Sequence, residues 1–224
     1  SAFGVSARLR PYHDHNGAQA RPGLLKELES GSRIALMSDA GTPLISDPGY
    51  KLVREAAELG IPIYAIPGAS APLTALASSG LPTDRFTFAG FPPPKSSARK
   101  RFLTEMKSGQ GTLIFFEGPS RLVASLTDMA EVFGAREAAV ARELTKKFEE
   151  TRRGLLPDLA AHYAEAGPPR GEIVILVGPP GEQGPPEANA IDAAILAADD
   201  SRPLKEIAAE IAEVAPWPVS YIDP

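Results

Sequence analysis

Short apolar runs alternate along this chain with stretches whose apolar residues recur at helical spacing. Residues 34–37 (Ile-Ala-Leu-Met) form a strand-like run that leads into the polar segment 38–43. Leu52, Val53, Ala56 and Leu59 then mark one face of a helix over residues 50–59, and Gly60 stands where a left-handed cap would close it. Residues 61–66 (Ile-Pro-Ile-Tyr-Ala-Ile) predict the next strand, and residues 71–79 a small-residue helix ending at Gly80. A strand–helix–strand–helix order of this kind implies a parallel sheet. A second unit begins after Leu81-Pro82. The pattern predicts strands at 86–91, 112–116, 138–142 and 173–177, and helices at 98–107, 121–133 and 156–166. Ser120 is placed to cap the second of these helices and Gly134 to end it. The simplest partition is two α/β domains, 1–80 and 81–180, followed by a Gly/Pro/Glu-rich linker over 178–188 and an alanine-rich helical tail over 190–214.

Composition narrows the class without changing that picture. With 224 residues, 43% of them hydrophobic and 23% charged, the chain can bury a core and is not disordered throughout. The 23 prolines and 20 glycines follow no tripeptide period, so they mark sharp connections rather than collagen. The absence of cysteine removes disulfides, thiolate nucleophiles and cysteine-ligated metal from consideration; no metal site is expected, and a reducing cytoplasm fits. No apolar run reaches the roughly 20 residues of a membrane span. The net charge of -5 argues against nucleic acid only until it is divided along the chain. Residues 181–224 hold nine acids and two bases, whereas residues 81–153 hold 13 bases and nine acids. A basic zone on the body of the protein can meet phosphates whatever the total charge.

Chemistry is expected where parallel strands end and their loops converge. Residues 38–49 collect three hydroxyls, two carboxylates, two prolines and two glycines. Its glycines let backbone approach a ligand and its prolines fix the shape beforehand, although a tight strand–helix turn would use the same residues. The Pro67-Gly68-Ala69-Ser70-Ala71 segment opens a helix and could receive a ligand oxygen, or simply allow close helix–sheet packing. Lys95-Ser96-Ser97-Ala98-Arg99-Lys100-Arg101 sets four bases in seven residues at the start of a helix. Such a run suits phosphates or a solvated face.

These segments, with Gly80-Leu81-Pro82, Arg85-Phe86, Gly90-Phe91, Pro94-Lys95, Ala141-Arg142-Glu143-Leu144-Thr145-Lys146, Gly171-Glu172 and His13-Asp14-His15-Asn16, stand in one order over residues 3–178. In that order the chain resembles the ribosomal RNA small-subunit cytidine 2'-O-methyltransferases, a branch of the tetrapyrrole (corrin/porphyrin) methylase superfamily. The resemblance implies a homodimeric, two-domain α/β methyltransferase that binds S-adenosylmethionine between its domains and methylates a cytidine ribose 2'-hydroxyl in small-subunit ribosomal RNA, free or in the assembled subunit. It assigns the cofactor to Asp39, Ala40, Gly41, Thr42 and Ile45, to Ser70 and Ala71, to Phe116 and Glu117, and to Glu172. It also implies an earlier strand and glycine-bearing loop, before the first residue of this chain, so the natural protein is expected to be longer.

A hydroxyl that is methylated must lose its proton, so a base is needed nearby. His13, Asp14, His15, Glu143 and Asp39 are candidates, and a Glu143–Lys146 pair could combine base and oxyanion stabiliser; a His-Asp-His turn or a salt-bridged strand end would account for the same residues structurally. For RNA, the residues expected to meet phosphate are Lys95, Arg99, Lys100, Arg101, Arg121 and Lys147, with Lys146, Arg152 and Arg153 in support. Two alternatives share the fold: a tetrapyrrole carbon methylase, and a ribosome-binding module without catalysis.

Overall fold

The central strand of the sheet explains the rest of the architecture. In the computed structural model, which describes residues 9–181, Ile173–Val177 (β5) is buried along its whole length. An uninterrupted apolar strand needs a partner on both edges and cover on both faces. Both edges are filled. Thr112–Glu117 (β2) and Glu137–Arg142 (β3) flank it antiparallel, Phe86–Phe88 (β1) pairs parallel with β2, and Glu150–Leu155 (β4) pairs antiparallel with β3, giving the order β1-β2-β5-β3-β4.

The two faces follow from alternation along each strand. Leu113, Phe115, Val140, Ile173, Ile175 and Val177 point to one side and pack with Ser96–Thr104 (α4), Leu122–Phe133 (α5) and Leu156–Ala166 (α6) through Leu103, Leu126, Met129 and Leu159. Ile114, Ala139, Ala141, Val174 and Leu176 point to the other, where Ala75 and Leu76 of Ala71–Ser79 (α3) cover them. Arg153 of β4 donates to the carbonyls of Ser78 and Ser79, occupying the C-terminal end of α3, and Gly80 leaves that helix in the left-handed conformation. The first stretch of the chain is thereby tied to the sheet. Gly17–Glu29 (α1) and Tyr50–Glu58 (α2) complete the described helices, joined to each other by the Arg21–Glu55 ion pair at 2.7 Å.

Several expectations are corrected. Residues 34–37 and 61–66 are not strands: no ladder bond joins them to another described segment, and Met37, Tyr64 and Ile66 are about four-fifths exposed. An apolar run becomes a strand only where a neighbour accepts its backbone groups. The sheet that does form is mixed, with one parallel pair, rather than parallel. Strand β4 was not foreseen because its sequence, Glu-Thr-Arg-Arg-Gly-Leu, has the polar surface of a protected edge instead of an apolar alternation. Pro119–Arg121 is a short 3-10 turn, and α5 starts after it without a side-chain cap from Ser120. The expected helical tail and nearly all of the linker lie outside the described residues. The described residues up to Pro179 belong to one compact unit.

Candidate active site

The loop over residues 38–49 is shaped from within. Ser38 Oγ donates to the carbonyls of Ala40 and Gly41, both at 3.0 Å, and Thr42 Oγ1 donates to the carbonyl of Ala69 at 2.9 Å. The last bond ties this loop to the segment preceding α3, so the two loops act as a pair. Leu44 (φ 72°) and Ser46 (φ 60°) sit in the left-handed region without being glycine. Such residues cost on the order of 1–3 kcal/mol each, so the surroundings must hold them, and strain of this kind gathers at functional sites. Gly49 has φ 133°, and a Cβ there would lie 2.6 Å from the Leu36 side chain.

These loops form one wall of a cavity of about 1860 Å³. Asp39, Ala40, Gly41, Thr42 and Ile45 line it from the first loop, and Ser70 and Ala71 from the start of α3. Phe116, Glu117 and Glu172 line it from the ends of β2 and β5, and His13 from the turn before α1. The structure therefore gathers all ten residues expected at the cofactor around a single opening. Phe91, named in the sequence only within the Gly90-Phe91 segment and given no role there, joins them. Its ring lies 5.4 Å from that of Phe116, which in turn meets Phe88 edge-on at 4.9 Å, so two aromatic rings face the cavity. The signal in the sequence was its position after Gly90 at the carboxyl end of a strand; Gly90 takes a positive φ of 67°, and a Cβ there would lie 3.9 Å from Ser46 Oγ.

Glu117 is fully buried and fully partnered. Its carboxylate accepts from the Gly118 backbone at 2.8 Å, from Ser125 Oγ and from Arg121 at 2.6 Å. It fixes the turn between β2 and α5, leaving its neighbour Phe116 to present apolar surface. His13 belongs to a turn locked by Asn16, whose side chain accepts from the His13 backbone at 2.8 Å and donates to the Pro11 carbonyl at 2.9 Å. The His-Asp-His run is thus a structured turn that also places His13 in the cavity wall. His15 packs 6.0 Å from the His13 ring, and neither it nor Asp14 lines the opening.

Glu143 and Lys146 stand next to the cavity, not in it. The Glu143 carboxylate accepts from the Glu172 backbone at 3.0 Å and from Lys146 Nζ at 3.1 Å, and Lys146 also reaches Glu172 at 3.0 Å. The backbone bond from Glu172 and then the ammonium hold the Glu143 carboxyl below its usual range, and the two carboxylates raise the Lys146 ammonium. Both bonds reach the same oxygen, Oε1, and a carboxylate held below its usual range is a weaker proton acceptor than a free one.

The basic residues divide in the same way. Arg99 is 3% exposed and donates to Asp128 at 2.7 Å and to the Pro93 and Pro94 carbonyls. Lys100 pairs with Glu131 and Asp128, Arg121 with Glu117, and Arg152 with Glu150. Arg99 is thereby enclosed and does not reach the surface, whereas Lys100, Arg121 and Arg152 keep part of their side chains exposed. Lys95, Arg101 and Lys147 are exposed.

An opening with backbone-rich loops and the Asp39 carboxylate on one side and two phenylalanine rings on the other suits a flat heteroaromatic group carrying a polar, charged extension. Comparison with known proteins gives the family and the fold. The family pattern of the Tetrapyrrole (Corrin/Porphyrin) Methylases matches residues 3–160. Ribosomal RNA small subunit methyltransferase I of Mesorhizobium japonicum is 50% identical over 213 residues, covering 95% of this chain and 72% of that protein. The protein of the same name from Micromonospora olivasterospora is 47% identical over 194 residues, covering 87% of this chain and 60% of its own length. Among solved structures, that of the methyltransferase CobJ superposes with a TM-score of 0.57 at 21% identity, covering 79% of each chain, a likeness of fold alone.

Proposed function

The chain belongs to the tetrapyrrole (corrin/porphyrin) methylases and groups with ribosomal RNA small subunit methyltransferase I, and from that premise we propose that it methylates the ribose 2'-hydroxyl of a cytidine in small-subunit ribosomal RNA, with S-adenosylmethionine as cofactor and as a homodimer whose two lobes divide near residue 80. The observation that carries this reading is the convergence of Asp39 to Thr42, Ile45, Ser70, Ala71, Phe116, Glu117 and Glu172 on one cavity. When bound there, S-adenosylmethionine supplies an electrophilic methyl group on a sulfonium.

The residues around it have separable tasks. Phe91, Phe116 and Ile45 offer the apolar walls that a purine ring needs, and the backbone N–H groups of residues 40–42 and 70–71 are the donors assigned to it. Asp39 offers a carboxylate for ribose hydroxyls or the ammonium of the methionine portion. As the ribose oxygen forms its bond to carbon, its proton must leave, and His13 is the residue we assign to accept it. Lys146, held as an ammonium, fixes Glu143 and Glu172 at the rim and takes no proton. Holding the hydroxyl in line with the methyl group supplies much of the rate. Lys95, Arg101 and Lys147 are the surface cations assigned to RNA phosphate.

The test is transfer of labelled methyl from S-adenosylmethionine, offering small ribosomal subunits and, separately, a tetrapyrrole. Label on a cytidine ribose of the small-subunit RNA, reduced at least 100-fold by His13→Ala with cofactor affinity retained, is the expected result. Label on the macrocycle, on a base carbon, or on neither substrate overturns it.

A further inference from the structure

Beyond the cavity, the most strained stretch of the described chain is the loop that follows β3. Glu143 has φ 48° and Thr145 φ 64°, and a β-branched residue at positive φ is a genuine outlier. The loop is bolted in place. Glu143 N donates to the Glu172 carbonyl at 3.0 Å, Lys146 N to the Glu143 carbonyl at 3.0 Å, Thr145 N to the Glu149 carboxylate at 2.8 Å and Glu149 N to the Lys146 carbonyl at 3.2 Å. Leu144 packs beneath it against the sheet core, and the Glu143–Lys146–Glu172 bridges join it to residues that line the cavity.

What this framework holds outward is an aromatic ring. Phe148 is 63% exposed, with Lys147 Nζ 5.7 Å from its centroid. Thr145, Lys146, Lys147 and Glu149 around it are all exposed and polar. A site for a second copy of the chain would surround such a ring with further apolar surface, because charged residues are depleted at the centre of protein interfaces. A flat apolar face beside an ammonium on a stiff loop instead matches a nucleobase joined to a phosphate.

We propose that Phe148 stacks on an unpaired base of the RNA substrate, adjacent to the nucleotide held in the cavity, while Lys147 meets the neighbouring phosphate. This rests on the RNA reading above and assigns a substrate contact to a residue outside the cavity wall. Backbone strain at Glu143 and Thr145 then serves to aim the ring.

The experiment compares Phe148→Ala, Phe148→Leu and Phe148→Trp in the full chain. Measured quantities are the KM for small subunits, the calorimetric Kd for S-adenosylmethionine, the melting temperature and the sedimentation coefficient. Alanine and leucine are expected to raise the KM about tenfold, with cofactor affinity, melting and sedimentation unchanged, and tryptophan to restore it. Leucine matters most, since it keeps apolar area and loses the stacking face. A KM within twofold of wild type for alanine, full function with leucine, or a changed oligomeric state overturns the proposal. If wild type itself places no label on small subunits, the RNA reading fails and takes this inference with it; active wild type with indifferent variants overturns the stacking contact alone.

Discussion

Glu143 shows how one carboxylate organises the rim of the site. It folds back over Gly171, whose φ of 101° and missing side chain make room for it: a Cβ at residue 171 would overlap the Glu143 Cγ, Cδ and Oε1. Gly171→Ala should therefore displace the bridge, cost roughly 1–3 kcal/mol, and lower methylation at least tenfold while leaving the circular dichroism of the sheet intact. Turnover equal to wild type would show that the bridge has no part in the reaction. The same carboxylate makes a pH prediction. Its folded pKa lies below the ordinary 4.5 because the ionised form accepts from the Glu172 backbone and from Lys146. The stabilisation is thus fully present above that ordinary value and fades as pH falls through the lower, folded one. Urea melts from pH 6 downward should lose stability less steeply for Glu143→Gln than for wild type. Parallel curves would mean that the carboxylate contributes nothing. Gly171-Glu172 and Ala141–Lys146 could each be picked out in the sequence, but only the fold reveals that one closes over the other.

At the level of elements, the basic helix α4 is held down by a buried clamp. Arg99 and Ser96 both reach Asp128 of α5, at 2.7 and 2.9 Å. Removing one partner of a buried pair strands the other, at a cost of about 3–5 kcal/mol. For a chain of this size that amounts to a fall in melting temperature of roughly 10 °C. Asp128→Ala should show this fall in calorimetry, whereas Arg101→Ala, on the exposed side of the same helix, should melt like wild type and instead flatten the salt dependence of RNA binding by about one unit of slope. Similar melting temperatures for the two variants would contradict this division. Sequence reasoning failed here for a definite reason. The four bases of residues 95–101 are close together in the chain, but the acids that neutralise two of them lie 28–31 residues later, and no local pattern announces a partner that distant. The loop over residues 38–49 stood out in the sequence because hydroxyl, glycine and proline spacing is a local property, whereas its assignment to a cofactor came from the family resemblance. Helix α1, with Pro22 inside it and a single buried residue, Gly17, has almost no apolar face to read.

Across the whole described molecule, stability is unevenly distributed. Before residue 80 the buried apolar side chains are Leu52, Ala56, Ala75 and Leu76; all the others lie from Leu81 onward, around β2, β5 and β3. The cavity's first loop hangs from the thinly packed portion, and its aromatic wall stands on the well-packed sheet. Regions with few buried contacts open at low free energy, and binding loops are commonly drawn from them. Amide hydrogen exchange should accordingly be slowest in β2 and β5, and faster by orders of magnitude in residues 34–37 and 61–66, which have no ladder partner among the described residues. S-adenosylmethionine at 100 times its Kd should slow residues 38–49 by up to about 100-fold while leaving the sheet unchanged, because the cofactor then bridges the weak wall to the strong one. Protection of 34–37 and 61–66 equal to that of β5 would reveal a strand paired between or beside them. Protection of 38–49 that ignores the cofactor would place its binding elsewhere.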